Sequence, residues 1–361
     1  MPVQLDNLVV TRPIPAKSLD QLRNAFKTLH YHPDAVVPRD TCKEADVWFN
    51  PYFALPDGIT LDDVPNTKLI QLDAAGANYA VNQAVFRDPR AKDQFALCTA
   101  SGIHVYTIPQ HVISQVINLY TLHHVQYHLM RTKAVWAERP AILEAAGVGQ
   151  VDGGSKLGSR SLYGKTAGLL GYGHIGREVA RLLRAFNVEV IVANSDGRAR
   201  IDQGYIVPGT GDKDGVLPSA YYSTNDQASF KEFLTRCDVL IASLPSTPKT
   251  RYLLTADHLK LLPDGAVFVN VGRGDLVQSE VLLEALDAPG GLSAMALDVT
   301  DPEPLPAAHP LFTHPKVILT PHISGDMEGY VERACDLFIA NVEGVRAGKP
   351  PMNQVHLNRG Y

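Results

Sequence analysis

The sequence predicts an α/β protein of two doubly wound, parallel-sheet domains with a cleft between them. Three observations carry that prediction. Short apolar runs alternate with segments of helical period, the pattern of strands joined by helices. A glycine-rich turn, Gly171–Gly176, sits between one such run and an amphipathic segment. At 361 residues the chain is long enough for two domains, each with its own core.

In the N-terminal part, NLVV (Asn7–Val10), ADVWF (Ala45–Phe49) and KLIQL (Lys68–Leu72) are expected strands, with the helical SLDQLRNAF after the first. From Ile108 to Trp136 the pattern is that of one long helix, apolar on more than one face. Such a helix is deeply buried or covered by a second subunit. The stretch GVGQVDGGSKLGS reads as a glycine-rich loop. KTAGLL (Lys165–Leu170) is the strand before the glycine turn, and Ile175, Val179, Leu182, Leu183 and Phe186 share one face of the helix after it. Val188–Ala193, Asp238–Ser243, Gly265–Val271, Met295–Val299 and Val317–Thr320 are the further strands. Gly204–Thr224 reads as a long polar loop. The expected division is one discontinuous domain from residues 1–100 and 326–361, and a second, holding the glycine turn, from 101–325.

Composition removes several function classes. The net charge of −5 provides no basic field for nucleic acid or anionic lipid. The four cysteines are far apart and form no CxxC pair, which points to reduced, buried thiols. No apolar stretch approaches a membrane span, and MPVQLDNLVV lacks a cationic flank or a long apolar run, so the expected location is the cytoplasm. His124 and His128 have zinc-like spacing beside His123, but no third ligand accompanies them, and no metal is expected. Arg273-Gly274-Asp275 spells an adhesion tripeptide, yet it lies at a strand end rather than on a protruding loop.

The glycine turn carries the first chemistry. Gly171, Gly173 and Gly176 form GxGxxG. The first glycine permits the tight turn, the second admits a pyrophosphate, and the third allows close helix–strand packing. The N–H groups of His174 and Ile175 then open the helix toward the phosphates. The end of the following strand reads VIVANSDGRAR, with Asn194 and Ser195 where a ribose-binding carboxylate is usual. Arg198 and Arg200 follow, and a guanidinium welcomes a 2′-phosphate that a carboxylate would repel. NADP(H) is therefore favoured, with NAD(H) as the alternative if Asp196 serves the ribose.

Three further stretches, VNVGRGDLV (Val269–Val277), ALDVTDPEPLP (Ala296–Pro306) and LTPHISG (Leu319–Gly325), complete a set of four motifs. In order and spacing the set resembles the D-isomer-specific 2-hydroxyacid dehydrogenases, which include glyoxylate/hydroxypyruvate reductases, D-lactate dehydrogenases and phosphoglycerate dehydrogenases. The resemblance implies two Rossmann-like domains, a substrate domain from residues 1–100 and 326–361 and a dinucleotide-binding domain from 101–325, and NAD(P)H-dependent, reversible reduction of a 2-keto acid to a D-2-hydroxy acid. It implies that Arg273 grips the substrate carboxylate and keto oxygen, that His322 donates the proton, and that Glu303 is its carboxylate partner. The chemistry is coherent: hydride delivery to a keto carbon builds negative charge on oxygen, which calls for a proton donor and a cation. A carboxylate beside an imidazole favours the protonated, donating form. Taken singly, each of the three also fits a solvated strand-end or loop residue; the motif context assigns them together.

The same resemblance implies softer roles. Leu244, Pro245 and Thr250 of SLPSTPKT, with Thr250 also read as a helix cap, line the cofactor, as do Val271, Gly272 and Asp298. In DAAGANY the amides of Ala75 and Gly76 meet the substrate carboxylate, and Tyr52 and Phe53 form a pocket wall or pack in the core. The long helix after Ile108 is where the family forms a homodimer. Gly204–Thr224 exceeds the family's common loop length. The other reading open to this sequence is a corepressor-like protein that binds the dinucleotide as a signal and turns over little.

Overall fold

The computed structural model describes residues 3–146, 160–288 and 290–357. The expected loop GVGQVDGGSKLGS lies outside them. The chain divides into two compact units, Met1–Ile103 with Gln203–Val207 and Met327–Tyr361, and His104–Asp202 with Pro208–Asp326. Residues 203–207, expected in the dinucleotide-binding part, therefore pack with the first unit: the Tyr205 amide donates to Asn353 Oδ1 at 3.3 Å.

The first unit is built on a five-stranded sheet of β1 (Asn7–Val10), β2 (Thr28–Tyr31), β3 (Val47–Asn50), β4 (Leu69–Leu72) and β5 (Ala96–Cys98). Its order is β2-β1-β3-β4-β5, and every pairing is parallel. Strands β3 and β4 are buried throughout, as parallel strands covered on both faces must be. β2 and β5 carry no such signal in the sequence. TLHY at Thr28–Tyr31 is an edge strand only half buried, with no apolar run, and Ala96–Cys98 has only three residues.

The second unit holds seven parallel strands: β6 (Thr166–Leu170), β7 (Glu189–Asn194), β8 (Ala220–Ser223), β9 (Val239–Ala242), β10 (Val267–Asn270), β11 (Ala294–Leu297) and β12 (Val317–Leu319). Their order is β12-β11-β10-β9-β6-β7-β8. The order reverses between β6 and β9, and in such sheets ligands gather at the strand ends beside that switch point. The glycine turn follows β6, and Ser243-Leu244 follows β9. The fold class is as expected, with three differences in detail.

The long helix is broken. Leu122 takes a left-handed conformation, φ 54°, and separates the helix Ile108–Thr121 from the helix His123–Lys133. Phe186 is not on the buried helix face: the helix after the glycine turn ends at Arg184, and Phe186 is 40% exposed in the turn that follows. The end of the expected loop 204–224 is the edge strand β8, whose Ala220–Ser223 pairs with Ile191–Asn194 of β7. The four cysteines are free and buried. Among the described residues no helix is long and apolar enough to cross a membrane.

Gly168 in the central strand β6 shows how tightly this sheet is covered. A Cβ there would overlap Cys237 Sγ and lie 2.8 Å from the Phe233 ring, both fully buried. Overpacking of this kind costs about 1–3 kcal/mol, so the helix that carries Phe233 sits down on the strand that leads into the glycine turn only because the strand has a glycine there.

Candidate active site

The glycine turn has the geometry its sequence asks for. Gly171 sits at φ +99°, a conformation that other residues rarely adopt. A Cβ on Gly176 would lie 2.5 Å from the Gly171 carbonyl oxygen, so helix and turn meet at backbone distance. Gly173 caps the helix His174–Arg184 without a side-chain hydrogen bond, and a Cβ there would meet nothing within 4 Å. Open space before a helix start that has no side-chain cap fits a pyrophosphate. Ile175 is partly buried against the sheet, whereas the His174 ring lies beside Asp202, Nε2 to Oδ1 3.4 Å. Burial lowers the pKa of His174, and the Asp202 charge opposes that shift.

At the end of β7 the turn is internally braced. Asn194 Oδ1 accepts from the amides of Gly197 (2.8 Å) and Asp196 (3.2 Å), and its Nδ2 donates to the Arg198 carbonyl (2.8 Å). The Asn194 amide is thus committed to the turn. Asp196 pairs with Arg200 at 2.7 Å, which holds its carboxyl below the usual range, and Arg200 also donates to Ser195 Oγ at 3.3 Å. Arg198 and Ser195 are exposed.

The segment after β9 packs on the turn, with the Leu244 side chain against Gly171. From the loop after β10, Gly272 approaches the same segment: a Cβ on it would lie 2.7 Å from the Leu244 carbonyl oxygen. Thr250 is not a helix cap. Its hydroxyl donates to the Pro245 carbonyl at 2.6 Å and knots the turn, while Thr255 caps the next helix. Val271 extends the β10 line, donating to the Ala242 carbonyl at 3.0 Å.

The three catalytic candidates come from the ends of the neighbouring strands β10, β11 and β12. Buried Asn270 shapes the Arg273 turn, accepting from the Gly272 amide and donating to the Arg273 carbonyl, both at 3.0 Å. Burial lowers the Arg273 pKa, and the Glu303 charge opposes that shift. Gly274 lies against Thr300, where a Cβ would overlap the Thr300 carbonyl. The Arg-Gly-Asp tripeptide is therefore packed into the domain, with Asp275 accepting from Ser246 Oγ at 2.6 Å.

Asp298, 3% exposed, takes Thr320 Oγ1 at 2.6 Å and the amides of Ile323 and Ser324 at 3.1 Å, as well as the Ser324 hydroxyl. These bonds fold the loop that carries His322. The His322 backbone is left-handed, φ 54°, and its amide donates to the Asp298 carbonyl at 2.9 Å. His322 Nδ1 lies 2.5 Å from Glu303 Oε1. An ionised carboxylate only accepts, so Nδ1 carries the proton and Nε2 is the ring's other reactive position.

The remaining candidates belong to the first unit. Tyr52 and Phe53 follow β3; Tyr52 is half exposed, edge-on to Phe53 (5.6 Å) and to Tyr79 (5.2 Å). Ala75 and Gly76 follow β4, and among the described residues none accepts a hydrogen bond from their amides. His123 and His124 bond to Asn118, and His124 Nε2 lies 3.3 Å from the Pro315 carbonyl. No metal-holding cluster occurs among the described residues.

Sequence reading missed Asn270 and His104. A polar residue closing the apolar run VFVN was the available signal for the first. His104 carried none, because only packing buries it: its ring lies 3.2 Å from where a Gly325 Cβ would be.

Among known proteins, the family model described as the NAD-binding domain of D-isomer-specific 2-hydroxyacid dehydrogenases matches residues 144–324. An uncharacterised protein of Corynebacterium melassecola is 30% identical over 83% of this chain and 86% of its own length. A glyoxylate reductase of Aeropyrum pernix is 33% identical over 54% of this chain, an alignment spanning about half (52%) of that relative. A D-isomer-specific 2-hydroxyacid dehydrogenase of Xanthobacter autotrophicus Py2, solved with NADPH and MES, shares the fold with TM-score 0.73 at 23% identity, covering 99% of this chain and 100% of that one.

The packing around His104 has a measurable consequence. Burial, reinforced by the Arg273 charge, lowers its pKa to about 4. Unfolded, it titrates at about 6.5, so between those values only the unfolded chain binds this proton. The contribution to stability is full above pH ~6.5 and is lost as pH falls toward 4. His104→Asn should flatten the dependence of unfolding free energy on pH in that window, by up to ~1.4 kcal/mol per pH unit. Equal slopes in denaturant titrations of both proteins would mean that His104 titrates normally. The matched family model, together with the likeness along most of the chain, fixes the relationship: the chain belongs to the D-isomer-specific 2-hydroxyacid dehydrogenase family.

Proposed function

We propose that this protein reduces a 2-keto acid to the corresponding D-2-hydroxy acid, reversibly, with NADP(H) as the favoured cofactor. The observation that carries this reading is the 2.5 Å contact between His322 Nδ1 and Glu303 Oε1, in the unit that also holds Arg273 and the glycine turn. The dinucleotide, when bound, supplies or accepts the hydride. Gly171, Gly173 and Gly176 admit it, and the amides of His174 and Ile175 face its phosphates. Glu303 holds the Nδ1 proton and favours the imidazolium, whose Nε2–H then gives its proton to the oxygen that gains charge during reduction and leaves the neutral ring. Arg273 offers planar, bidentate donors to a carboxylate and a fixed positive charge to the same oxygen. Within the first unit, the amides of Ala75 and Gly76, unbonded among the described residues, are donors of the kind a carboxylate takes, and Tyr52 lies edge-on to Phe53 and Tyr79. The likeness to a glyoxylate reductase supports a small 2-keto acid as substrate.

The protein is also proposed to form a homodimer. Tyr127 (56%), Val135 (56%) and Trp136 (88%) are exposed on and after the helix His123–Lys133, apolar area of the kind a second copy covers. Sedimentation should give a dimer for the native chain and a monomer for Tyr127→Asp with Trp136→Asp. A native monomer at micromolar concentration overturns this.

NADP(H) is favoured because Arg198 is exposed and Asp196 is already neutralised by Arg200. Initial rates with NADPH and NADH over a panel of 2-keto acids test both parts. Turnover should be faster with NADPH; faster turnover with NADH would assign Asp196 to the ribose. His322→Ala should lower turnover by about 10²–10⁴, and undiminished turnover would remove His322 from the mechanism. Arg273→Ala should raise KM and lower kcat together, and an unchanged profile would remove Arg273 from the site.

A further inference from the structure

One buried side chain holds the segment between β7 and β8 at two points, on either side of the residues 203–207 that pack with the first unit. Arg177, in the first turn of the helix after the glycine turn, is 4% exposed. Its Nη2 donates to the Arg200 carbonyl at 2.7 Å, and its Nη1 donates to the Asp212 carbonyl. Its guanidinium carbon lies 4.8 Å from the centre of the Tyr172 ring, and its Nε is 3.6 Å from Asp202 Oδ2. The Asp212 side chain completes the anchor. It accepts from the Tyr172 hydroxyl (2.6 Å) and from the amides of Leu217 (3.0 Å) and Val216 (3.1 Å). Glu178, next to Arg177, accepts from the Gly211 amide at 2.6 Å.

A buried guanidinium is tolerated only when its donors are filled. Here they are filled by main-chain carbonyls from two points of the loop. Arg200 and Asp212 therefore cannot leave the helix without stranding a buried charge. The turn 194–200 is held from two sides: Asn194 braces it from β7, and Arg177 holds its far end through the Arg200 carbonyl. Ser195, Arg198 and Arg200 are exposed on that turn.

We propose that Arg177 is a positioning residue for a phosphorylated ribose: by clamping the Arg200 carbonyl it fixes the turn whose Ser195, Arg198 and Arg200 receive a 2′-phosphate. Discrimination between NADP(H) and NAD(H) then depends on a side chain that does not touch the cofactor. The inference rests on the NADP(H) reading above.

Binding of two adenine nucleotides to the full chain, measured by calorimetry, separates the possibilities. Adenosine 2′,5′-bisphosphate carries the extra phosphate, and adenosine 5′-monophosphate lacks it. The native protein should bind the bisphosphate about tenfold or more tightly than the monophosphate. Arg177→Met should abolish most of that ratio, mainly through the bisphosphate, and Arg177→Lys should restore part of it. Asp212→Ala, which frees the other end of the loop, should lower the ratio in the same direction and serves if Arg177→Met does not fold. A native protein without preference sinks the NADP(H) reading and this inference with it. A native preference that survives in a folded Arg177 or Asp212 variant overturns the inference alone.

Discussion

The buried carboxylate of Asp298 is the constraint on which the reactive end of this fold depends. At the end of β11 it is nearly sealed from solvent, and a charge in that position must be satisfied by donors. It takes them from Thr320, Ile323 and Ser324, all in the loop after β12. The chain must therefore turn back at once after Leu319. That turn puts His322 in a left-handed conformation, which a non-glycine residue keeps only when its surroundings impose it. The imidazole ends beside Glu303, which lies a few residues beyond Asp298 on the loop that leaves the same strand.

The same device recurs along the sheet. Asn270 closes β10 and ties the Arg273 turn, while Asn194 closes β7 and ties the turn of Ser195 and Arg198. Each is a polar side chain at the carboxyl end of a parallel strand, and each spends its hydrogen bonds on the backbone of the loop it starts. The glycines then set how close those loops come. Gly272 meets the Leu244 backbone and Gly274 meets Thr300, so the loops after β9, β10 and β11 are stacked at backbone distance. These strand-end contacts hold the loops of the candidate site in place, together with buried apolar residues of the same loops such as Val271, Leu276, Val277 and Val299.

Much of this was legible in the sequence. The central strands were visible because they are buried on both faces and read as unbroken apolar runs. The glycine turn was visible because its backbone requires glycine at fixed spacing: Gly171 sits at φ +99°, and a Cβ on Gly176 would lie 2.5 Å from the Gly171 carbonyl oxygen. Arg273, Glu303 and His322 were singled out by the resemblance of the motif set to a family, and each motif could be matched because it is carried on one short loop. Edge strands β2 and β8 were not, because TLHY and AYYS carry no run of aliphatic residues like the VIL of edge strand β12. The break at Leu122 was not, since leucine carries no signal for a left-handed turn.

By itself the sequence determined the fold class, the glycine turn and the four motifs, because each of these is encoded in local pattern, and it pointed to the candidate reactive side chains through the resemblance those motifs carry. Tertiary structure decided what distant residues do to one another. It committed Asn194 to its own turn, paired Asp196 with Arg200, moved the capping role from Thr250 to Thr255, and made Arg177 the anchor of a loop that lies beyond the next strand. It also buried His104 beside Arg273. Burial and pairing are properties of packed neighbours, and no spacing along the chain records which neighbours those will be.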